Sequence, residues 1–407
     1  MNNPQTLIFL SPTPVTNHIL SSQGLPQLLL LSQDYGWRVK IISFESAMTD
    51  KTEEDIQHYF YDLGIEWFPV FHPHRTRILR LLPASLFTAL KAIGVLRKVL
   101  RQSGNKVVIH CRSYAAAFVA YVGHKLGFFS CPWFFDVRGI YPDELVRDGV
   151  WQHSDLKYKL AKAFEQLALR DARHVFVVNG YQLGVLAKSF ERASPPKLTV
   201  IPHSVNTIRF RGFRSSRSQI RAYLGVKRTP AIVWMVGAIR PVHVPGMVKQ
   251  FFHQFVSLFP TAVLLVLTKD GAESVKNILS ISDSNLRVIS AQPEDVPRFL
   301  SACDLALSFI HSAHEGLGIK FSEYLASGVP VVTNMCKSTE QTDLLNAHRI
   351  GIPLESDTGM ASATNIRDIR DLISNNDVIK RCYYAANISY SLHMQVQKYN
   401  ETYRAGI

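Results

Sequence analysis

Two glutamates, Glu315 and Glu323, bracket seven residues in the stretch HEGLGIKFSEYLASGVPVVTN, His314 to Asn334. Inside the interval lies the turn Gly316-Leu317-Gly318, and a short helical pattern starts at Ile319. A glycine turn that feeds a helix N-terminus presents free backbone N–H groups and the positive end of the helix dipole, a setting that suits a diphosphate. A carboxylate on the loop before that turn can accept hydrogen bonds from sugar hydroxyls. A second one, about two turns further along, can reach a ribose. Gly328 is placed to end the helix, and Val329 to Thr333 reads as a buried strand. One short segment is thus expected to hold a sugar, a diphosphate and a nucleoside. The Glu-x7-Glu spacing alone arises by chance in most proteins. The glycine turn, the stop at Gly328 and the Pro-Val-Val strand single this pair out.

Other chemistry is thinly represented. His311 and His314 offer two imidazoles without a third ligand or a zinc pattern, so no metal is expected there. No Asp-x-Asp motif is present, so no Mg²⁺ is implied. The five cysteines, Cys111, Cys131, Cys303, Cys336 and Cys382, are scattered and read as reduced, mainly buried thiols. That usage suggests a cytoplasmic protein. The first residues, MNNPQTLIFLSP, lack a basic leader and read as a first strand. No apolar run is long enough to span a bilayer.

The formal charge of +13 calls for an acidic partner. Between His72 and Lys106, seven cations (Arg75, Arg77, Arg80, Lys91, Arg97, Lys98 and Arg101) interleave with Leu, Ile, Phe and Val. A basic amphipathic helix over 75–101 can lie on an anionic membrane, on the inner face of the cell envelope. The same pattern also describes an ordinary surface helix with a solvated cationic face. Nucleic acid is not expected: no zinc-finger, ribonucleoprotein or helix-turn-helix pattern occurs, and no aromatic-basic stacking platform.

These residues need a scaffold, and the chain supplies one twice. With 407 residues, two domains are expected. Short apolar runs at Thr6–Leu10, Arg38–Ser43, Ile65–Val70, Lys106–His110, Pro132–Val137 and His174–Val178 alternate with helical patterns, such as Gly24–Tyr35 and Ser154–Arg170. In the latter, Leu156, Leu160, Ala163, Phe164 and Leu167 form one apolar stripe, with Ser154 placed to cap. The pattern restarts after a polar stretch carrying Arg209, Arg211, Arg214, Arg217 and Arg221. Its strands are Ala231–Val236, Ala262–Leu267, Leu286–Ile289, Leu305–Phe309 and Val329–Thr333. Alternating strands and helices predict parallel sheets covered on both faces. The expected division is 1–205, 206–386 and a terminal helix over 387–407 that packs back on the first domain. Ligands of such sheets bind beyond the carboxyl ends of the strands. Glu315 to Glu323, Asp136 to Tyr141 and His110 to Tyr114 all follow a strand on that side, and two facing domains would enclose them in a cleft.

In this order, the segments VIPHSVN, VGAIR, DVPRFLSACDLA and EGLGIKFSEYLASGVPVV resemble glycosyltransferase family 4. HCRSY at His110 and FDVRGIYPDE at Phe135 resemble a bacterial, polysaccharide-type branch of it. The resemblance implies the GT-B fold, with two Rossmann-like doubly wound parallel-sheet domains, and a retaining sugar transfer without metal or other cofactor. It implies that Glu315 contacts donor-sugar hydroxyls and Glu323 the ribose. Gly316, Leu317, Gly318 and Ile319 would then bind the diphosphate through their amides. The family has an Arg directly after the glycine matching Gly237, and a Lys shortly beyond. This chain has Ala238, with Arg240 two residues later and no Lys before Lys249. Arg240 and Lys320 are the substitutes within reach. The N-terminal Gly-Gly loop of the family is replaced by Ser11-Pro12-Thr13-Pro14. A histidine the family uses near the acceptor maps close to Arg138, so Asp136 and Arg138 are candidates there; a purely structural ion pair between them is the alternative. His203 is expected to be structural.

The resemblance implies transfer from a UDP- or GDP-linked sugar to a hydroxyl of a glycan or lipid-linked acceptor. Arg240, Lys320 and the turn amides would stabilise the leaving diphosphate. A non-catalytic nucleotide-sugar-binding scaffold of a glycan assembly complex is the competing reading, motivated by the missing Arg and Lys. A nucleotide-sugar 2-epimerase is a third.

Overall fold

The computed structural model describes residues 5–17, 20–45, 52–71, 84–188, 198–226, 228–316, 318–355 and 358–407. The chain divides into two units, residues 1–201 with 395–407 and residues 202–394.

Seven parallel strands build the first unit: β1 Thr6–Ser11, β2 Arg38–Glu45, β3 Glu66–Phe71, β4 Val107–Arg112, β5 Trp133–Asp136, β6 His174–Val177 and β7 Leu198–Val200. Their order is β3-β2-β1-β4-β5-β6-β7. β1, β4, β5 and β6 are buried at every position, as expected of strands covered on both faces. The Ala84–Arg101 helix buries Ala89, Ala92, Ile93, Leu96 and Val99 at helical spacing. Its Lys91, Arg97, Lys98 and Arg101 are exposed. Arg75, Arg77 and Arg80 lie outside the described residues.

The final helix, Leu392–Gly406, belongs to this unit from Gln395 onward. It is fixed by buried polar bonds at two points. Trp37 Nε1 donates to Asn400 Oδ1 at 2.9 Å, and the Tyr403 hydroxyl meets His110 Nδ1 at 2.7 Å.

The Leu156–Asp171 helix departs from the expected packing. Leu156, Leu160 and Leu167 are 71%, 60% and 45% exposed, so the leucines of the stripe face outward, while Phe164 packs against Phe118 and Tyr121. The buried seam is Glu165, Ala168 and Leu169. Glu165 takes the inner face because it accepts from the Tyr114 hydroxyl and pairs with Lys162. Satisfying that buried carboxylate sets the helix rotation, and the leucines turn away. Ser154 does not cap this helix; Asp155 stands at the N-cap without a side-chain bond to the helix.

The second unit repeats the topology with β8 Ala231–Met235, β9 Val263–Leu267, β10 Leu286–Ile289, β11 Leu305–Ser308, β12 Val331–Asn334 and β13 Gly351–Leu354. All pairs are parallel, and the order is β10-β9-β8-β11-β12-β13. β7 and β13 went unrecognised in the sequence. Both are sheet edges, and β13 carries Pro353, which only an edge strand tolerates. Several arginines of the polar stretch are structural. Arg217 and Arg221 pair with Asp304, and both donate to carbonyls at the end of the Val296–Ser301 helix and just beyond.

Candidate functional site

In a doubly wound sheet the ligand crevice opens where the strand order reverses, beyond the carboxyl ends of the two central strands. In the second unit those strands are β8 and β11. Gly237 follows β8, and the loop from Phe309 to Gly316 follows β11. The residues expected to bind a donor therefore converge on one crevice rim because the topology places them there.

The β11 loop is held at both ends. Asn334, buried at the end of β12, accepts the Ile310 N–H at 3.0 Å and donates back to the Ile310 carbonyl at 2.7 Å. Further along, the His311 N–H donates to the Val242 carbonyl at 2.8 Å, tying this loop to the Pro241–His243 turn that follows Arg240. His314 Nδ1 lies 2.8 Å from the Gly316 carbonyl oxygen, closing the turn beside Glu315. Glu315 is buried. Leu317 lies outside the described residues.

Gly318 is the N-cap of the Ile319–Ala326 helix, with no side-chain cap. A Cβ at Gly318 or Gly237 would meet no heavy atom within 4 Å. Open space thus surrounds both glycines. The helix stops where expected. Gly328 adopts a left-handed φ of +74°, and a Cβ there would strike Ile379 and Tyr383. Tyr324 pins the helix to the sheet: its hydroxyl accepts the Met235 N–H of β8 and lies 3.3 Å from the Leu307 carbonyl of β11.

Glu323 keeps part of its side chain accessible, yet burial pushes its carboxyl up to about 7, against the opposing pull of Lys320 and Arg209. His243 is lowered from its ordinary value by burial, then by Lys320, Arg240 and His314. The rim therefore gathers two imidazoles around Arg240 and Lys320, whose charges set a positive field. Lys249 is elsewhere, donating to Ser280 Oγ at 2.9 Å.

In the first unit the central strands are β1 and β4, and a second cluster forms at the ends of β4 and β5. His110 and Arg112 project from the same face of β4, and Arg112 is in register with Asp136. Asp136 Oδ2 lies 3.3 Å from His110 Nε2, 3.7 Å from Arg138 Nη1 and 3.9 Å from Arg112 Nη1. Neither Asp136 oxygen accepts an aligned hydrogen bond. Burial raises this carboxyl, but Arg138, His110 and Arg112 together outweigh it and hold it at about 2. Burial lowers His110 from its ordinary value despite its contact with Asp136, leaving a neutral ring at pH 7. Burial also lowers Arg112, to about 10.

Arg138 sits at φ +59° and Ser113 at φ +70°, left-handed conformations that cost non-glycine residues of order 1 kcal/mol each. Ser113 immediately follows β4, and Arg138 lies two residues beyond the end of β5. The expected pair Asp136 and Arg138 is therefore brought together. His110, Arg112 and Gln23 were not singled out as site residues in the sequence. The signal for Arg112 was its place at the end of β4, two residues beyond His110. Among the described residues, no three His, Cys, Asp or Glu side chains group as a metal site.

Residues 32–203 match the family model described as a glycosyl transferase 4-like domain, and residues 216–386 match that of the glycosyl transferases group 1. No curated protein matches the chain significantly. Among solved structures, a glycosyltransferase from Rickettsia africae ESF-5 is similar at TM-score 0.74 and 14% identity, over 99% of each chain. Sucrose-phosphate synthase from Thermosynechococcus elongatus is similar at TM-score 0.73 and 14% identity, over 98% of each. Anabaena Alr3699/HepE in complex with UDP is similar at TM-score 0.70 and 14% identity, over 98% of this chain and 100% of that one. At such identities the likeness to solved structures speaks for the fold.

Proposed function

We propose that this chain, which belongs to the glycosyltransferases of GT-B fold, moves a sugar from a nucleoside-diphosphate sugar to an acceptor hydroxyl with retention of configuration. The observation that carries the reading is the convergence at the β8/β11 crevice. Glu315, Gly316 and Gly318 lie on the loop after β11, Lys320 and Glu323 on the Ile319–Ala326 helix that follows it, and Arg240 on the loop after β8. Glu323 accepts hydrogen bonds from the ribose, and Glu315 from sugar hydroxyls. The turn amides, Arg240 and Lys320 meet the negative charge that develops on the departing diphosphate. That charge assistance lowers the barrier to breaking the glycosidic bond, and the departing phosphate oxygen takes the acceptor's proton on the same face. No protein base and no metal enter the scheme. HepE, solved with UDP, and the relatives named as transferases make a nucleotide-linked donor the natural choice, UDP or GDP first.

On the acceptor side the candidates are Asp136 and Arg138, in the cluster at the ends of β4 and β5, where the buried Asp136 carboxylate acts by positioning Arg138. The acceptor is a glycan or lipid-linked intermediate of cell-surface polysaccharide, handled in the cytoplasm at the membrane. Two features support the membrane. The Ala84–Arg101 helix exposes four cations, and Leu156, Leu160 and Leu167 stand in solvent beside exposed Lys157 and Lys159. Among the described residues no helix is long and apolar enough to cross a bilayer, so contact would be peripheral.

A second reading, a donor-binding scaffold without turnover, is favoured by one observation. Ala238 replaces the expected arginine, and the nearest lysine downstream, Lys249, is bound to Ser280. Incubation with UDP- and GDP-sugars and a membrane extract separates the two. Release of nucleoside diphosphate coupled to a lipid-extractable glycoside, with the anomeric configuration of the donor kept, supports the transferase. Donor binding without release supports the scaffold.

A further inference from the structure

The second unit holds a cavity of about 490 Å³ apart from the β8/β11 crevice. Gly351, the first residue of β13, lines it. The cavity therefore lies toward the amino end of that strand, whereas the crevice lies beyond the carboxyl ends of β8 and β11. Buried Leu345 and Val378 give it an apolar part. Arg349, Arg381, Asp368 and Asp371 give it a charged one. Its volume is that of a small-molecule site, and an apolar wall with a few polar groups is the usual make-up of one.

The charges are sorted by element. Arg349 caps the end of the Glu340–His348 helix, and Arg381 lies on the Asp377–Tyr390 helix. Arg381 Nη2 donates to the Arg349 carbonyl at 3.1 Å, which brings the two arginines to one wall. Asp368 and Asp371 stand three residues apart on the Ala363–Ser374 helix and share one side of it. Among the described residues, no ion pair joins either aspartate to a cation or either arginine to a carboxylate. Arg381 Nε is buried and meets no acceptor. Arg349 takes a left-handed φ of +50°, a conformation that glycine or asparagine adopts at lower cost. The chain keeps a guanidinium there in spite of that strain.

Two cations on one wall and two anions on another, unpaired across the space between, match a ligand that carries both signs. The aspartates repel a plain anion, and the arginines repel a plain cation. A molecule that joins an oxyanion to an ammonium satisfies both walls, with charge-assisted bonds at each end. We infer that this cavity binds a small zwitterion, its phosphate or carboxylate at Arg349 and Arg381 and its ammonium at Asp368 and Asp371. The inference does not rest on the transferase reading.

The test is calorimetric titration of the full chain at constant ionic strength. Phosphoethanolamine and β-alanine are the zwitterions; inorganic phosphate, acetate and ethanolamine are the controls of one sign. At least one zwitterion should bind about tenfold or more tightly than any control, because linking two groups makes the second contact intramolecular. Arg349→Ala and Asp371→Ala change exposed side chains, so both should melt like the native chain. Each should bind that zwitterion at least about tenfold more weakly. Asp371→Ala should still bind inorganic phosphate at least as well as the native chain, since only a partner of the ammonium is gone. Lys320→Ala, altered in the β8/β11 crevice, should bind the zwitterion like the native chain. Sedimentation with phosphatidylethanolamine vesicles separates two sources of the ligand. A fraction lost in Arg349→Ala and Asp371→Ala assigns a lipid headgroup, and an unchanged fraction assigns a free solute. The inference is overturned if neither zwitterion binds more tightly than the controls, or if Arg349→Ala and Asp371→Ala bind it like the native chain.

Discussion

The Tyr324 hydroxyl accepts the Met235 N–H at 2.8 Å, joining the helix that carries Glu323 to the strand that leads into Gly237. One buried phenol thus fixes the spacing between two parts of the β8/β11 crevice. Its surroundings leave no water to replace it, since Tyr324 is 1% exposed. Tyr324→Phe should lose about 1–3 kcal/mol of unfolding free energy through the stranded N–H. Nucleotide affinity should fall with it. Urea unfolding and a nucleotide titration of the same variant check both; a loss of stability with unchanged affinity would confine Tyr324 to a structural role.

Glu323 gives a pH dependence with a definite sign. Its carboxyl is raised from 4.5 to about 7, so the folded protein holds a proton that the unfolded chain gives up. Stability from this group is full below about 4.5 and is lost as pH rises toward and through 7. Glu323→Gln should therefore melt higher than the native chain at pH 8 and match it near pH 4.5. The same variant should bind nucleotide more weakly, because a neutral amide would replace the carboxylate proposed to accept from the ribose. A crevice that binds at the expense of stability is a common feature of active sites. Melting curves across that pH range, with and without nucleotide, decide it.

Much of the framework of the β8/β11 crevice was legible in the sequence. Gly328 stops its helix because only glycine takes that left-handed turn cheaply, and local rules of this kind are written in the sequence. The strands of both sheet centres were legible because they are buried on both faces and read as apolar runs. The Leu156–Asp171 helix was not. Its rotation is set by a hydrogen bond from Tyr114, far away in sequence, to Glu165, and a stripe of leucines gives no sign of such a partner. The Arg112–Gln23 contact likewise joins residues 89 positions apart. No spacing rule reaches that far. The reversal of strand order, which determines where the chemistry sits, is also a tertiary property.

Asp136 is a buried anion beside two buried arginines, Arg112 and Arg138. Asp136→Asn should cost about 3–5 kcal/mol at neutral pH, the usual penalty for removing one partner of a buried charge cluster. Its carboxyl is held at about 2, below the ordinary 3.8. The stability it contributes is therefore present above 3.8 and lost as pH falls through 2. The gap between the native chain and the variant should shrink over that acid range. A constant gap, measured by denaturant unfolding at several pH values, would show that the carboxylate charge is not what matters.

The exposed leucines should act at a surface and leave the fold alone. Replacing Leu156, Leu160 and Leu167 together by Ser should leave melting within about 1 kcal/mol of the native chain, since none is buried. Sedimentation with vesicles of phosphatidylglycerol and phosphatidylcholine should fall in that variant. Pure phosphatidylcholine should bind the native chain weakly. Loss of a dimer, with unchanged vesicle binding, would instead assign the stripe to self-association.

The proposed diphosphate clamp separates three cations. Lys320→Ala and Arg240→Ala should each reduce turnover about tenfold to a hundredfold, the effect of removing one charged donor from a leaving group. Lys249→Ala should leave turnover unchanged, since its ammonium donates to Ser280. A large effect at Lys249 alone would relocate the clamp.

The central claim is that the β8/β11 crevice binds a nucleotide through Glu323. Its most direct measurement is thermal stabilisation by UDP, GDP, ADP and CMP, for the native chain and for Glu323→Ala. A ligand at about 100 times its dissociation constant adds roughly 2.7 kcal/mol. A shift with one nucleoside diphosphate, UDP or GDP first, that vanishes in Glu323→Ala is the predicted result. Absence of a shift with all four nucleotides, or an undiminished shift in the variant, would contradict the claim.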